Sequence, residues 1–179
     1  MNSSQNIFAY GDSKISILPE GIQKAAWPVD YDDVLPVGTQ EVGYTTTDGE
    51  TFTRTAELTD IDANQQAKVR QIASNGSATL EFTALEDNEV TRWLYNATAA
   101  TPGTSYTDVD NFAQTIARTI VWDTSDTQDG FVKHKRYVFE ANIAPNGGIT
   151  YSRGNTAQRS FIATALGAYR EITEQPAVS

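Results

Sequence analysis

The chain has 179 residues, 39% of them hydrophobic, a length and composition that fit one domain with a modest core. Its formal net charge of −10, without a basic stripe, argues against tight nucleic-acid binding. The absence of cysteine excludes disulfides and thiolate chemistry, and no apolar run is long enough to predict a membrane span.

Short strand-like runs are predicted at 7–10, 14–18, 41–46, 51–58, 67–73, 77–83, 115–123, 130–141, 149–152 and 160–167. Turn signals such as Asp48-Gly49 and Asn75-Gly76 separate them. This spacing predicts an all-β fold, a β-sandwich or partly open barrel. The irregular segments are predicted at 19–40, 59–66 and 96–114.

The chain is predicted to form a single domain over 1–179. An N-terminal strand region and arm occupy 1–40, and a β core with one short helix occupies 41–167. Residues 168–179 are predicted to form a C-terminal arm outside the core.

The sharpest local signal is Asn75-Gly76, which predicts a two-residue type I′ hairpin turn because both central residues must have positive φ. This turn sets Val69 opposite Phe82 on the flanking strands. One face of the hairpin is then largely apolar, and Val69, Leu80 and Phe82 are predicted to be core residues.

A short amphipathic helix is predicted near residues 86–95, directly after this hairpin. Thr83 and Glu86 have the spacing of a capping box, in which the threonine side chain accepts from a backbone amide and the glutamate reaches back. Apolar side chains then recur at helical spacing, which predicts a core-facing stripe of Val90, Trp93 and Leu94.

No catalytic set accompanies these elements, so we predict that the chain is not an enzyme and uses no cofactor or metal. His134 is the only histidine, and no Gly-x-Ser-x-Gly elbow occurs. The clustered aspartates lack EF-hand spacing and are interpreted as solvated loop acids: Asp30, Asp32, Asp33, Asp108 and Asp110.

Three motifs in order carry a family resemblance. The first is Gly43-Tyr44 with Asp48-Gly49, preceded by the proline-containing arm, and the second is a Thr/Asp-rich stretch leading to Lys-Val-Arg at 68–70. The third is Gly-Ser-Ala-Thr-Leu-Glu-Phe-Thr at 76–83, followed by Leu-Glu-Asp-Asn at 85–88 and Trp-Leu-Tyr at 93–95. Together they resemble the major tail tube proteins of long-tailed, non-contractile bacteriophages.

The resemblance implies a β-sandwich flanked by one helix, six copies of which form a ring. Rings stack into the tail tube of the virion, which holds the tape-measure protein during assembly and conducts DNA at ejection. The implied partners are further copies of the chain, the tape-measure protein, and tail terminator and tail-tip proteins. Assembly is expected in the host cytoplasm, without a membrane partner.

The resemblance places the ring-stacking loop at residues 45–66. Its expected contact residues are Thr45, Asp48, Gly49, Thr59, Asp60, Asp62 and Asn64. The termini, 1–8 and 170–179, are expected to add secondary contacts.

Duplex DNA would be repelled by an acidic tube lining and retained by a basic one. We therefore expect acids to outnumber bases on the lumen, with contributions from Glu41, Glu50, Glu57 and Glu81. Lys133 and Lys135 are expected to face outward or to pair with acids of a neighbouring subunit.

Three other functions remain open at this point. A tube protein of a contractile tail or of a type VI-like injection system shares the fold class. A head decoration protein, or another structural virion protein, would assemble with a different symmetry. An enzyme or carbohydrate-binding β-sandwich would need a concave site with convergent polar groups.

Overall fold

The described residues in a computed structural model of the chain are 11–63, 66–98, 109, 115–126, 133–149 and 157–174, with the backbone alone described at 58–63, 66–75 and 133. The strands are β1 (Asp12–Ile17), β2 (Gln40–Glu41), β3 (Thr51–Ala63), β4 (Gln66–Ala84), β5 (Ile116–Asp126), β6 (Lys133–Pro145), β7 (Arg159–Ala165) and β8 (Arg170–Thr173). The helix α1 is Glu89–Asn96, and Lys24–Ala26 form a 3₁₀ turn. The predicted all-β class with one short helix is confirmed.

The eight strands in the described residues belong to one open antiparallel sheet. Seven of them follow the order β2-β1-β5-β6-β7-β4-β3, and β8 pairs with β6 off this path. Strand β6 pairs with β5 from Lys133 to Ile143. Its other edge is shared, because β7 pairs with residues 141–145 and β8 with residues 135–138. The sheet therefore continues through β7 to β4 and β3 at one end of β6 only.

The sheet curls around a single main core. Phe52 of β3 lies 6.1 Å from Trp122 of β5 and 5.5 Å from Tyr137 of β6, measured between ring centroids, although other strands separate them in the sheet. Of the predicted core residues, Leu80, Phe82 and Leu94 are buried, and Val90 and Trp93 pack against the same cluster. The side chain of Val69 lies outside the described set.

Residues 40–46 span the gap between β1 and β4. The amide of Val42 donates to the carbonyl of Ile15 in β1, over 3.0 Å. Two residues later the chain switches partner, since Leu85 donates to the carbonyl of Tyr44 and Thr46 donates to the carbonyl of Thr83. We call residues 40–46 the seam; it joins the two ends of the curled sheet through main-chain hydrogen bonds.

The switch of partner occurs at Gly43, whose φ is +91°. The Glu86 carboxylate lies directly against this glycine and accepts from the Tyr44 amide over 3.1 Å. Asn88 donates its side-chain amide to the carbonyl of Val42 over 2.9 Å. The residues before α1 therefore hold the seam in place, and a Cβ at position 43 would overlap the carboxylate.

The predicted helix is confirmed in kind, but its capping box is wrong. The N-cap is Asn88, whose side-chain oxygen accepts from the Thr91 amide over 2.8 Å, while the Thr91 hydroxyl accepts from the Asn88 amide. Thr83 lies within β4 and its hydroxyl bonds Ser160 of β7, so it cannot cap a helix. The helix starts at Glu89 rather than 86 for this reason.

The predicted hairpin turn at Asn75-Gly76 is also wrong, because both residues lie inside the 19-residue strand β4. The chain reverses instead between Ala63 and Gln66, which are paired. Between the pairs Thr55–Ser77 and Glu57–Ser74 the register shifts by one residue, so Asn75-Gly76 coincide with a β-bulge. Residues that favour turns also occur at bulges, because turns and bulges both interrupt the regular hydrogen-bond pattern of paired strands.

Two segments predicted to be irregular contain strand. Residues 59–63 continue β3, and residues 170–173 form β8, paired with β6 instead of lying in an arm. The charged start of β8, Arg170-Glu171, suits a short edge strand, for which propensity gives little signal. The predicted run at 7–10 lies outside the described residues. Of the predicted run at 149–152 only residue 149 is described, and it is not in a strand.

The segment 18–37, which we call the arm, covers the outer face of β5 and β6. Trp27 and Leu18 of the arm are buried with Val121 and Val138. The guanidinium of Arg136 pairs with the buried Asp123 at 2.6 Å. It also donates to arm carbonyls at positions 30 and 33, and Arg170 donates to those at 27 and 28. Two arginines therefore fix the arm by its backbone.

We expect Gly43→Ala to lower the free energy of unfolding by about 1–3 kcal/mol, because the left-handed backbone is strained for alanine and Glu86 must move. Gly148→Ala is the matched control, since its Cβ would meet nothing within 4 Å, and we expect a change within about 0.5 kcal/mol. Urea unfolding of both variants measures the difference. Equal stability of the two would contradict the role of the seam.

Stability should fall as pH rises from 10 to about 12. Burial and the neighbouring Glu171 carboxylate raise the pKa of Tyr137 from 10.0 to about 12. In this window the unfolded chain has lost the phenol proton and the folded chain keeps it, so deprotonation favours unfolding.

Urea unfolding at several pH values within the window tests this expectation. Tyr137→Phe should show a shallower decline than the wild type, because it lacks the ionising group. The same slope in both proteins would exclude Tyr137 as the cause.

Candidate assembly surfaces

The longest feature of the fold is a two-stranded ribbon, formed by β3 and by residues 66–78 of β4. Strand β4 pairs with β7 only from Thr79 to Ala84, and β3 pairs only with β4. At about 3.4 Å per residue, residues 66–75 carry the ribbon roughly 30 Å beyond the strands of the main sheet. In the described part of the chain, both outer edges of this ribbon lack a strand partner.

The residues predicted for ring stacking divide between this ribbon and its base. Thr59, Asp60 and Asp62 lie in the distal part of β3, where the prediction of an irregular loop was wrong. Asn64 lies outside the described residues. Thr45 forms an isolated bridge with Ala84.

Asp48 and Gly49 form a turn ahead of β3, closed by the Gly49 amide donating to the carbonyl of Thr46 over 3.0 Å. Asp48 is exposed in this turn. The predicted stacking residues therefore do not form one loop. Asp48 and Gly49 lie in the turn at the base of the ribbon, whereas Thr59, Asp60 and Asp62 lie in its distal part.

A second surface is the outer face of β3, β4 and β7, where hydroxyl side chains predominate. The strand registers align Thr53 with Thr79 and Thr164, and Thr51 with Glu81. Neighbouring hydroxyls hydrogen-bond one another, at 2.7 Å for Thr55–Ser77 and 2.8 Å for Thr83–Ser160. We call this surface the hydroxyl face; its described residues are Thr51, Thr53, Thr55, Glu57, Ser77, Thr79, Glu81, Thr83, Ser160, Ile162 and Thr164.

The four acids predicted for the lumen do not share one surface. Glu57 and Glu81 alternate with inward residues and lie on the hydroxyl face. Glu41 pairs with Lys14 beside β1, and Glu50 accepts from the Ser13 hydroxyl over 2.7 Å. These two acids therefore belong to the region of the seam, where they serve intramolecular contacts.

Sequence reasoning missed the hydroxyl face as a surface, although a signal was present. Serine or threonine occupies every second position in 51–55 and, except for Glu81, in 77–83, the period of a strand with one solvated face. Glu140 of β6 lies at the border of this face and is exposed. The described residues of the hydroxyl face include no lysine or arginine.

Other residues weighed for chemistry serve structural contacts. His134 stacks on Tyr31 with ring centroids 4.2 Å apart, and its Nε2 lies 3.6 Å from a Glu174 oxygen. Asp33 accepts from the amides of Val29 and Asp30, and these hydrogen bonds lower the pKa of its carboxyl. Lys135 lies 3.9 Å from Glu171 of the same chain, while the Lys133 side chain is outside the described set.

The described residues hold no group of three His, Cys, Asp or Glu side chains placed to bind a metal ion. Among them, no helix has the length and apolar character needed to cross a membrane.

Comparison with known proteins agrees with this architecture. A family model described as phage tail tube protein matches residues 14–173, which include all eight strands except the first two residues of β1. No curated protein matches the chain. A match over most of the chain, together with a curled β-sheet and one short helix, establishes that this chain belongs to the phage tail tube protein family.

Proposed function

We propose that the chain polymerises as stacked hexameric rings into the tail tube of a long-tailed, non-contractile phage, the conduit for genome ejection. The observation that carries the proposal is the β3–β4 ribbon, which is long and lacks a strand partner on either outer edge among the described residues. Family membership supports a structural tail component that assembles with itself. The three ordered motifs at 43–49, 68–70 and 76–95 favour the non-contractile class.

The ribbon needs a partner for a physical reason. A two-stranded hairpin alone is marginally stable in water, and its open edges are templates for pairing with another chain. In a ring or stack of identical subunits, the same edges would be covered by a neighbouring copy. We assign the ring-stacking role to this ribbon, with Thr59, Asp60 and Asp62 on its distal strand.

We propose that the hydroxyl face lines the lumen. Its short hydroxyl side chains are hydrogen-bonded to one another across strands. Its described residues include no lysine or arginine that could bind phosphates. Glu57 and Glu81 give the face a negative charge, and Glu140 extends it. This set replaces the one predicted from sequence, since Glu41 and Glu50 are engaged near β1.

An acidic, hydroxyl-rich lining suits passage of DNA without binding. Duplex DNA carries one negative charge per roughly 1.7 Å, so a lining with bases would retain it by many phosphate contacts. Charges within about 8 Å of the duplex are screened only in part at physiological salt. Repulsion from all sides would then keep the duplex centred.

The same proposal names the partners of the tube. The tape-measure protein would occupy the lumen during assembly, and tail terminator and tail-tip proteins would bind the two ends. The protein would act in the virion tail after assembly in the host cytoplasm, without enzymatic activity or cofactor.

Shortening the ribbon should abolish tubes and leave the subunit folded. Replacing residues 59–72 by Asn-Gly joins the paired residues Leu58 and Ala73 through a two-residue type I′ turn. We expect the variant to unfold cooperatively, as judged by circular dichroism, and to form no tubes in negative-stain micrographs.

The control for this deletion is Gln65→Gly, which places Asn-Gly between Ala63 and Gln66 and keeps the ribbon at full length. It should form tubes like the wild type. Normal tubes from the shortened variant would rule out the stacking role of the ribbon.

Reversing charge on the hydroxyl face should make tubes retain DNA. Glu81→Lys changes one charge per subunit by two units on the proposed lining, and wild-type tubes should not retain short duplex DNA at physiological salt. We expect DNA to co-sediment with Glu81→Lys tubes and to dissociate as salt rises. Glu89→Lys makes the same charge change at the exposed start of α1 and should not retain DNA. Equal retention by both variants would place Glu81 away from the lumen.

A further inference from the structure

The arm projects an exposed apolar surface. Val34 and Val37 are 94% and 101% exposed, and Val29 is 71% exposed. They lie within nine residues of one another, beside the two aspartates Asp30 and Asp32. We call Val29, Val34 and Val37 with these aspartates the knob.

Hydrogen bonds hold the backbone of the knob at residues 29, 30 and 33, although its valine side chains are exposed. The Asp33 carboxylate accepts from the amides of Val29 and Asp30 over 2.7 and 2.9 Å. Beneath it, Arg136 donates to the carbonyls of residues 30 and 33 and is anchored by the buried Asp123. An apolar surface fixed in this way loses little conformational entropy when a partner covers it.

A cleft of about 460 Å³ lies between the ribbon and the segment before β8. Three of its eight lining residues are Arg54, Ser77 and Glu171, and the other five are small or aromatic: Gly76, Ala78, Gly167, Ala168 and Tyr169. At residues 76–78, β4 pairs only with β3, so one edge of its backbone is unpaired there among the described residues. The cleft therefore combines a partly apolar wall with an unpaired strand edge.

The cleft also carries an available cation. Arg54 lines it and is exposed, and it forms no ion pair with any residue the structure describes. Glu171, the acid in the cleft, is already engaged by the Tyr137 hydroxyl at 3.3 Å and lies 3.9 Å from Lys135. Asp30 and Asp32 of the knob likewise have no cationic side-chain partner within the described part of the chain. Arg54 and a knob aspartate are thus complementary charges, and arginine binds carboxylates with two parallel hydrogen bonds.

The knob and the cleft lie on opposite faces of β8. Arg170 and Ile172 touch the arm on one face, whereas Tyr169 and Glu171 line the cleft on the other. One chain therefore cannot place its knob in its own cleft. Two different surfaces that complement each other between identical subunits make a heterologous contact, which builds rings or filaments.

We propose that the knob of one subunit docks into the cleft of the next, with Asp32 paired to Arg54 and the exposed valines against Ala78, Ala168 and Tyr169. The contact rests on the proposed self-assembly and names two surfaces that carry it. The valines and the cleft residues Ala78, Ala168 and Tyr169 are apolar, so their burial supplies affinity, while the ion pair fixes register.

The absence of cysteine allows a direct test of the contact. Val34→Cys and Ala168→Cys are prepared separately, mixed under tube-forming conditions and treated with a short bifunctional maleimide. We expect a cross-linked dimer from the mixture and none from either variant alone. Val34→Cys mixed with Gly148→Cys, whose position is exposed and open, is the matched control and should give no dimer.

Charge reversal gives an independent measurement. Asp32→Arg and Arg54→Asp should each raise the protein concentration needed for tubes by about tenfold, and the double variant should recover most of that loss. The contact would be overturned if wild-type protein formed tubes but the mixture of Val34→Cys and Ala168→Cys gave no cross-linked dimer. It would also be overturned if the double charge-reversal variant needed as high a protein concentration as the single variants. Either result would leave the proposed function intact. A wild-type protein that forms no tubes would refute the proposed function, and the contact with it.

Discussion

The fold depends on the seam, where one short segment is bonded to both ends of a curled sheet. A sheet that curls without closing leaves unpaired backbone groups and an opening above its core. Residues 40–46 satisfy part of both edges, with Val42 bonded to β1 and Thr46 bonded to β4. Since Asn88 bonds Val42 and caps α1 as well, the helix that covers the core is fixed by the same contacts.

Much of the inner fold was predictable from local patterns. The alternation of Leu80 and Phe82 with polar neighbours marks one buried face, and both are buried. The stripe of Val90 and Leu94 marks a helix, and the ordered motifs at 43–49, 68–70 and 76–95 mark the tail tube family. These features depend on residues close in sequence, which is why periodicity reveals them.

The errors arose where a distant partner decides between two local options. Asn75-Gly76 suits a hairpin turn, but pairing with β3 makes these residues a bulge in a continuous strand. Thr83 suits a helix cap, but its hydroxyl bonds Ser160, 77 residues away. Docking of the arm has no sequence signature at all, because Arg136 and Arg170 recognise backbone carbonyls that every residue carries.

The distribution of charge links the subunit to its assembly. Several cations are used within the chain, as in the pairs Arg136–Asp123 and Arg159–Asp87. The excess of acids over bases, −10 per chain, therefore falls largely on solvated surfaces. Subunits with this charge repel one another. Salt screens the repulsion beyond about 8 Å, so it is strongest when two subunits come into contact. Polymerisation must overcome this repulsion by short-range contacts. The exposed valines of the arm in one subunit and the unpaired strand edge of β4 in another are groups able to provide them.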